Sequence, residues 1–232
     1  MKITAMSERK NILIGAVALF LLLLGSGCAN VKLYSVDMRY GAEKVTVPDY
    51  LRIADKVLGE QIVIAEFLDS RKVDDTKVIG RVIEKDGSNV LILPKFTMPA
   101  KAVAQGIRNY LSKAGYKIPN RLSVWDLKEE TMPQETAKLL IGGSIEEMEL
   151  TCRKGFPSDT YKARVKLSVI FADLASRKIL YKSTVESSAA LEHVSFSEKR
   201  MEEQINNVLA EAVEKLFEDK EVAQNIKDVT AK

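Results

Sequence analysis

The residue types that could do chemistry are few and scattered along this chain. The single histidine, His193, stands between a strand-like and a helix-like segment with no second His, Cys or carboxylate pair at ligand spacing, so it reads as a solvated loop residue. With one loop histidine there is no Ser, His and acid set for nucleophilic catalysis. Asp69, Asp74 and Asp75 crowd one polar loop, but they lack the alternating acidic ligands and the glycine of a calcium loop, and solvated loop charges account for them. Glu147 and Glu149 are spaced like a pair of acid/base carboxylates. Their strand parity puts them on the same wet face as Lys162, Arg164 and Lys166, where cross-strand charge pairing is the stronger explanation. Glu146 has the opposite parity and needs a bulge or an early strand end. Gly142 and Gly143 lack the following Lys and Ser or Thr of a phosphate-binding loop. The expectation is a chain with no catalytic residue, no metal site and no cofactor.

Two cysteines are present, Cys28 and Cys152. Cys152 shares strand parity with Met148 and Leu150 and reads as a small buried hydrophobe, the rival reading being a reactive or intermolecular thiol. Ahead of Cys28, the basic residues Lys2, Arg9 and Lys10 are followed by an apolar run from Ile12 to Leu24 and then by Gly25, Ser26 and Gly27, the three regions of an export signal. The run of 13 residues is short of the roughly 20 that a helix needs to cross a bilayer.

Ser26, Gly27 and Cys28 resemble the end of a bacterial lipoprotein signal, although Gly25 stands where that signal usually has Leu. The resemblance implies that Cys28 receives a diacylglyceryl group, with palmitate-type chains, and that the protein is held on the membrane by this lipid. Ordinary signal peptidase would also accept Gly25 and Gly27 and release an unlipidated chain. Because Ala29 rather than Asp follows the cysteine, the same resemblance implies the outer membrane, facing the periplasm, in a Gram-negative cell.

The elements that would position these residues come from periodicity. With 232 residues, 46% apolar and 29% charged, the chain suits one domain with a real core plus extensions. The formal charge of +3 falls to +1 without Lys2, Arg9, Lys10 and Glu8, which gives no electrostatic case for nucleic acid. Residues 1–27 are read as the signal, 28–60 as a lipidated tether with a possible edge strand from Leu33 to Tyr40, 61–220 as the folded domain and 221–232 as a tail. A buried strand is expected over Gln61 to Leu68, and a hairpin over Val78 to Glu84 and Asn89 to Leu93. A helix follows, with Thr97 as cap, Pro99 in its first turn and Gly115 at its end. The segment from Lys117 to Thr136 reads as loop, with Trp125 in a satellite packing role.

Tyr161, Ala163, Val165, Leu167, Val169 and Phe171 alternate with polar residues, predicting the middle strand of a meander between Leu139 to Cys152 and Lys178 to Ser188. The turns set the register: Glu149 beside Arg164 and Glu147 beside Lys166 at the first, Phe171 beside Ile179 and Val169 beside Tyr181 at the second. A last helix is expected to open with Ser195 and Glu198 as a capping box and to carry an apolar stripe from Met201 to Phe217. The fold class is α+β, a two-layer sandwich of an antiparallel or mixed sheet against two long amphipathic helices.

The succession of Phe67, Leu68, Asp69, Ser70 and Arg71, then Ile79 and Gly80, then Leu111, Gly115 and Tyr116, then Leu140, Ile141, Gly142 and Gly143 is similar to that of the YajG-type envelope lipoproteins. It also resembles the wider group with a domain like the amino-terminal domain of TolB, which includes the curli secretion lipoprotein and a penicillin-binding-protein activator. The resemblance covers residues 61–219. It implies a non-catalytic module that acts by contact with another envelope protein. The rival functions are an auxiliary lipoprotein of a lipid or solute transporter, which would need an apolar groove, and an envelope hydrolase.

Overall fold

The alternation between Tyr161 and Phe171 builds the strand it predicts, with those six side chains buried and Lys162 and Arg164 exposed. The computed structural model describes residues 32–40, 45–53 and 61–231. The leader and Cys28 lie outside the described residues. The described residues form eight strands: β1 (Tyr34–Val36), β2 (Ile62–Ile64), β3 (Leu68–Asp69), β4 (Gly80–Ile83), β5 (Asn89–Pro94), β6 (Leu139–Arg153), β7 (Asp159–Asp173) and β8 (Lys178–His193). Among the described residues three α-helices accompany them, α1 (Pro99–Lys113), α2 (Glu198–Glu218) and α3 (Lys220–Ala231), with a short 3-10 turn at Glu129–Thr131. The class is α+β with a mixed sheet, in the order β1-β5-β4-β6-β7-β8, and β6 also takes β2 and β3. Thus β6 pairs antiparallel with β7 along one edge, while the other edge takes β2, β3 and β4 in succession, all parallel.

The first turn has the register its parity predicts, with Glu147 opposite Lys166, Met148 opposite Val165 and Glu149 opposite Arg164. The ladder shifts between Ile145 and Glu147, so Glu146 is the extra residue of a bulge. The second turn is wider than expected. Asp173 pairs with Lys178 across Leu174, Ala175, Ser176 and Arg177, Arg177 taking φ 54° and the Asp173 carboxylate accepting the Ala175 N–H at 2.8 Å. Leu180 is then bulged out, and Phe171 faces Tyr181 rather than Ile179, while Val169 faces Ser183 rather than Tyr181. The displacement is by two residues, so each side chain keeps its face.

Pro99 opens α1, but Met98 rather than Thr97 occupies the cap position, with no side-chain bond. Gly115 ends the helix at φ 105°, its N–H donating to the Ser112 carbonyl and that of Tyr116 to Leu111. The capping box expected of Ser195 and Glu198 is not formed. Ser197 is the cap residue, without a side-chain bond, because Ser195 belongs to the loop: its N–H donates to His193 Nδ1 at 3.1 Å and its carbonyl accepts from Arg200. The stripe of α2, from Met201 and Ile205 to Leu216 and Phe217, is buried throughout and joins α1 and the inward residues of β6 and β7 in one apolar cluster.

The stretch read as a tether contributes to that same cluster. Tyr34, Val36, Met38 and Tyr40, then Val45, Val47 and Leu51, are buried in it, and β1 pairs parallel with β5. The tail expected after residue 220 is helix α3, which buries Val222, Ala223, Ile226 and Val229. A second, smaller cluster covers the opposite face of the sheet at one end, where Trp125 and Met132 meet Val63, Leu140 and Ile170.

Candidate functional site

The outer face of β6, β7 and β8 carries most of the charges singled out above. Arg164 lies between two carboxylates, its Nε 3.1 Å from Glu147 Oε2 and its Nη2 2.7 Å from Glu186 Oε1. The bulge turns Glu146 outward to Lys166, 3.0 Å away, and this hydrogen bond raises the lysine pKa. Glu149 lies 3.4 Å from Arg81 of β4. The carboxylates therefore do meet basic partners, through diagonal as well as directly opposed pairs. A shallow hollow of about 420 Å³ lies on this face, floored by Ser188 and Ala190 and walled by Glu149, Lys162 and Arg164. Its chemistry is that of a wet, charged sheet surface, and exposed pairs of this kind contribute little to stability.

His193 is the last residue of β8 and is half-buried. Its Nδ1 accepts the Ser195 N–H, and the Ser195 hydroxyl is 3.4 Å from the same nitrogen. That is a local loop contact between residues two apart. Cys152 is fully buried, and burial, assisted by Asp159, pushes its thiol up to about 12. A thiol in that state is a poor nucleophile at neutral pH. Among the described residues no group of three or more His, Cys, Asp or Glu could hold a metal ion.

Asp69 is not a solvated charge. Its carboxylate accepts two bonds from the Arg71 guanidinium and one from the Arg71 backbone N–H, and the arginine side chain is almost wholly buried. Asp74 and Asp75 are exposed in the same loop. Gly142 and Gly143 have a packing role: a Cβ on the first would stand 2.7 Å from the Trp125 ring, and on the second 2.2 Å from the Ser168 carbonyl oxygen and 2.6 Å from Phe67. Trp125 lies on the sheet as a packing residue, with its indole N–H donating to the Lys128 carbonyl at 2.7 Å.

One cluster escaped sequence reasoning. Tyr34 of β1 donates to Glu84 at 2.8 Å, and the Lys154 ammonium donates to the Tyr34 hydroxyl at 2.8 Å while lying 3.8 Å from the centre of the Phe196 ring. Lys154 also pairs with Glu84 at 3.0 Å. Burial works against the charged lysine, but the bonds to Tyr34 and Glu84 outweigh it and leave its pKa raised. Four segments far apart in sequence meet here, and no spacing rule would have joined them.

Residues 52–227 match the profile of the family Lipoprotein_16, described as uncharacterized lipoprotein. The chain belongs to this lipoprotein family. No functionally curated protein matches the sequence. A crystal structure of a Xanthomonas campestris protein of family DUF330 shares the fold of this Lipoprotein_16 member, with a TM-score of 0.51 at 10% identity, covering 85% of this chain and 99% of that one. Lipoprotein GNA1162 of Neisseria meningitidis aligns with a TM-score of 0.32 at 10% identity, over 66% of this chain and 97% of its own. Membership in Lipoprotein_16 points to a protein anchored at a membrane of the cell envelope, and no described helix is long and apolar enough to cross a membrane.

Proposed function

We propose that this Lipoprotein_16 member is acylated on Cys28, faces the periplasm from the outer membrane and acts there as a non-catalytic binding or assembly module. The finer kinship with YajG-type lipoproteins and with the TolB amino-terminal-like group belongs to this reading, as does a two-layer layout with α1 and α2 against one face of the sheet. The observation that carries it is the edge of the sheet. Strand β8 runs from Lys178 to His193, is the last strand in the order, and pairs on one side with β7. An edge of that length, beside a charged face without reactive groups, is suited to strand addition by a protein partner. The hollow nearby is open and shallow, with Ala189 and Ala190 beside Glu149, Lys162 and Arg164, and a surface that does not enclose a ligand favours a protein counterpart over an apolar small molecule.

Photo-crosslinkers placed at the exposed Thr184 and Ser188 should trap one envelope protein in intact cells, while the same group at exposed Lys101 of α1 traps none. Equal or absent adducts at all three positions would remove the β8 edge as the docking surface. Metabolic labelling with a clickable fatty acid should mark the wild type and not Cys28→Ser.

A further inference from the structure

Two large apolar side chains are displayed at loop tips at one end of the sheet. Phe156, in the β6–β7 turn, is 96% exposed, and Val194, between β8 and α2, is 81% exposed. The register puts these tips together. Arg153 pairs with Thr160 and Asp159 with His193, so the β6–β7 turn and the end of β8 are neighbours. The β4–β5 turn is at the same end, since Ile83 pairs with both Asn89 and Arg153, and the Lys154 N–H donates to the Ile83 carbonyl at 2.9 Å.

The chain also enters the domain at this end. β1 runs parallel to β5 with Tyr34 opposite Ile92, so the backbone before Tyr34 leads toward the β4–β5 turn from which β5 starts. The bonds of Tyr34 to Glu84 and Lys154 fix that point of entry. Six peptide links join Cys28 to Tyr34. At about 3.3 to 3.6 Å each they reach no further than roughly 20 Å.

We propose that this end of the domain faces the bilayer and that Phe156 and Val194 enter its headgroup region as a second, non-covalent contact beside the lipid. The proposal rests on the reading of Cys28 as the lipid-bearing residue. The short reach selects the end of the domain that can touch the membrane. Val124, 87% exposed, lies in the loop whose Ser123 bridges Ala65 beside the first residues of β6. Ile141 and Arg153 are twelve residues apart on that strand. At a strand rise of about 3.3 Å this is some 40 Å, about twice the reach of the tether. The exposed charges at the near end nearly balance, with Lys32, Lys85, Arg153 and Lys199 against Asp86, Glu192 and Glu198, so the apolar tips rather than a net charge carry the contact. Exposed apolar tips of this kind mark contact with a partner or a membrane, and the anchored chain already holds them at the membrane.

The test uses the lipidated protein in phosphatidylcholine vesicles with brominated acyl chains. The variants are Phe156→Trp, Val194→Trp and Val124→Trp, read against the wild type, whose one tryptophan is the buried Trp125. Tryptophan at 156 and at 194 should be quenched at least about threefold more than at 124, and equally in vesicles with and without anionic lipid. Quenching that is absent at 156 and 194, or equal at all three positions, overturns the proposal, including the case in which a second copy covers the tips. Intact mass reports the acyl group separately. If Cys28 carries none, coupling its thiol to a maleimide lipid lets the same quenching measurement run, so loss of the anchor reading and loss of the orientation are told apart.

Discussion

The Arg71 guanidinium grips both carboxylate oxygens of Asp69, with Nε 2.8 Å from Oδ1 and Nη2 2.7 Å from Oδ2. Its remaining donors go to the carbonyls of Thr76, Val78 and Met148, so all five N–H groups are used and the polar loop after β3 is stitched to β6. Removing the side chain leaves the half-buried carboxylate with only the residue-71 backbone N–H and takes the guanidinium donors away from three carbonyls. Arg71→Ala should lower stability by about 3 to 5 kcal/mol, and Arg71→Lys should recover little because an ammonium cannot make the fork. Urea denaturation of both variants checks this, and a loss below about 1 kcal/mol in either would show that the knot is dispensable.

The glycine pair is expected to separate into a strict and a tolerant member. At Gly143 an added methyl group meets the Ser168 backbone oxygen, which cannot move without breaking the β6–β7 ladder, whereas at Gly142 it meets the Trp125 ring, which can tilt. Gly143→Ala should cost about 1 to 3 kcal/mol or more and Gly142→Ala less, read from thermal melts. The reverse order would contradict the close-approach explanation.

Leu209 and Leu216 of α2 are fully buried in the main cluster. Replacing either by Ala should cost about 2 to 5 kcal/mol. Unchanged denaturation midpoints in both would place the stripe against a partner rather than the core.

Alkaline pH should unfold the domain. Burial pushes Tyr110, with help from Glu214, and Tyr116 up to about 12, and raises Tyr40 further. Each is held neutral in the folded state and ionises near its ordinary value once unfolded. The folded state therefore binds more protons between about pH 10 and pH 12, so stability is unaffected below that window and falls as pH rises through it. Tyrosinate absorbance should rise late for these groups, together with loss of circular dichroism. Cys152, at about 12, should resist thiol reagents at pH 8, where about one in 10⁴ is thiolate, until denaturant is added. Rapid labelling of the native protein would show that the thiol is open to solvent.

What the sequence disclosed followed local chemistry. The β7 alternation, the stripe of α2 and the first-turn register all depend on neighbours in sequence, and each is present in the structure. The second register missed because the left-handed Arg177 and the bulged Leu180 carry no glycine signal. The edge strand expected within Leu33 to Tyr40 is present as β1 at the end of the sheet, but its partner β5 and the burial of 45–53 were hidden, because no short-range pattern marks a parallel pairing as distant as Tyr34 with Ile92. The charge lattice around Arg164 was legible from parity, while the knot at Arg71 and the cluster at Lys154 gather groups from separate strands and turns.

The shared edge of β6 also sets a timetable. β2, β3 and β4 all pair with a strand that begins at Leu139, so a ribosome finishes the three of them well before their common template exists. Among the described residues of the first half, β4, β5 and β1 can pair with one another and helix α1 can form, but β2 and β3 have no strand to pair with until β6 exists. Long-range pairing of this kind is slow, and the pairings of β2, β3 and β4 with β6 wait until residues 139–153 have emerged. For a polypeptide exported as proposed above, a late template keeps the strands that depend on it threadable for most of synthesis.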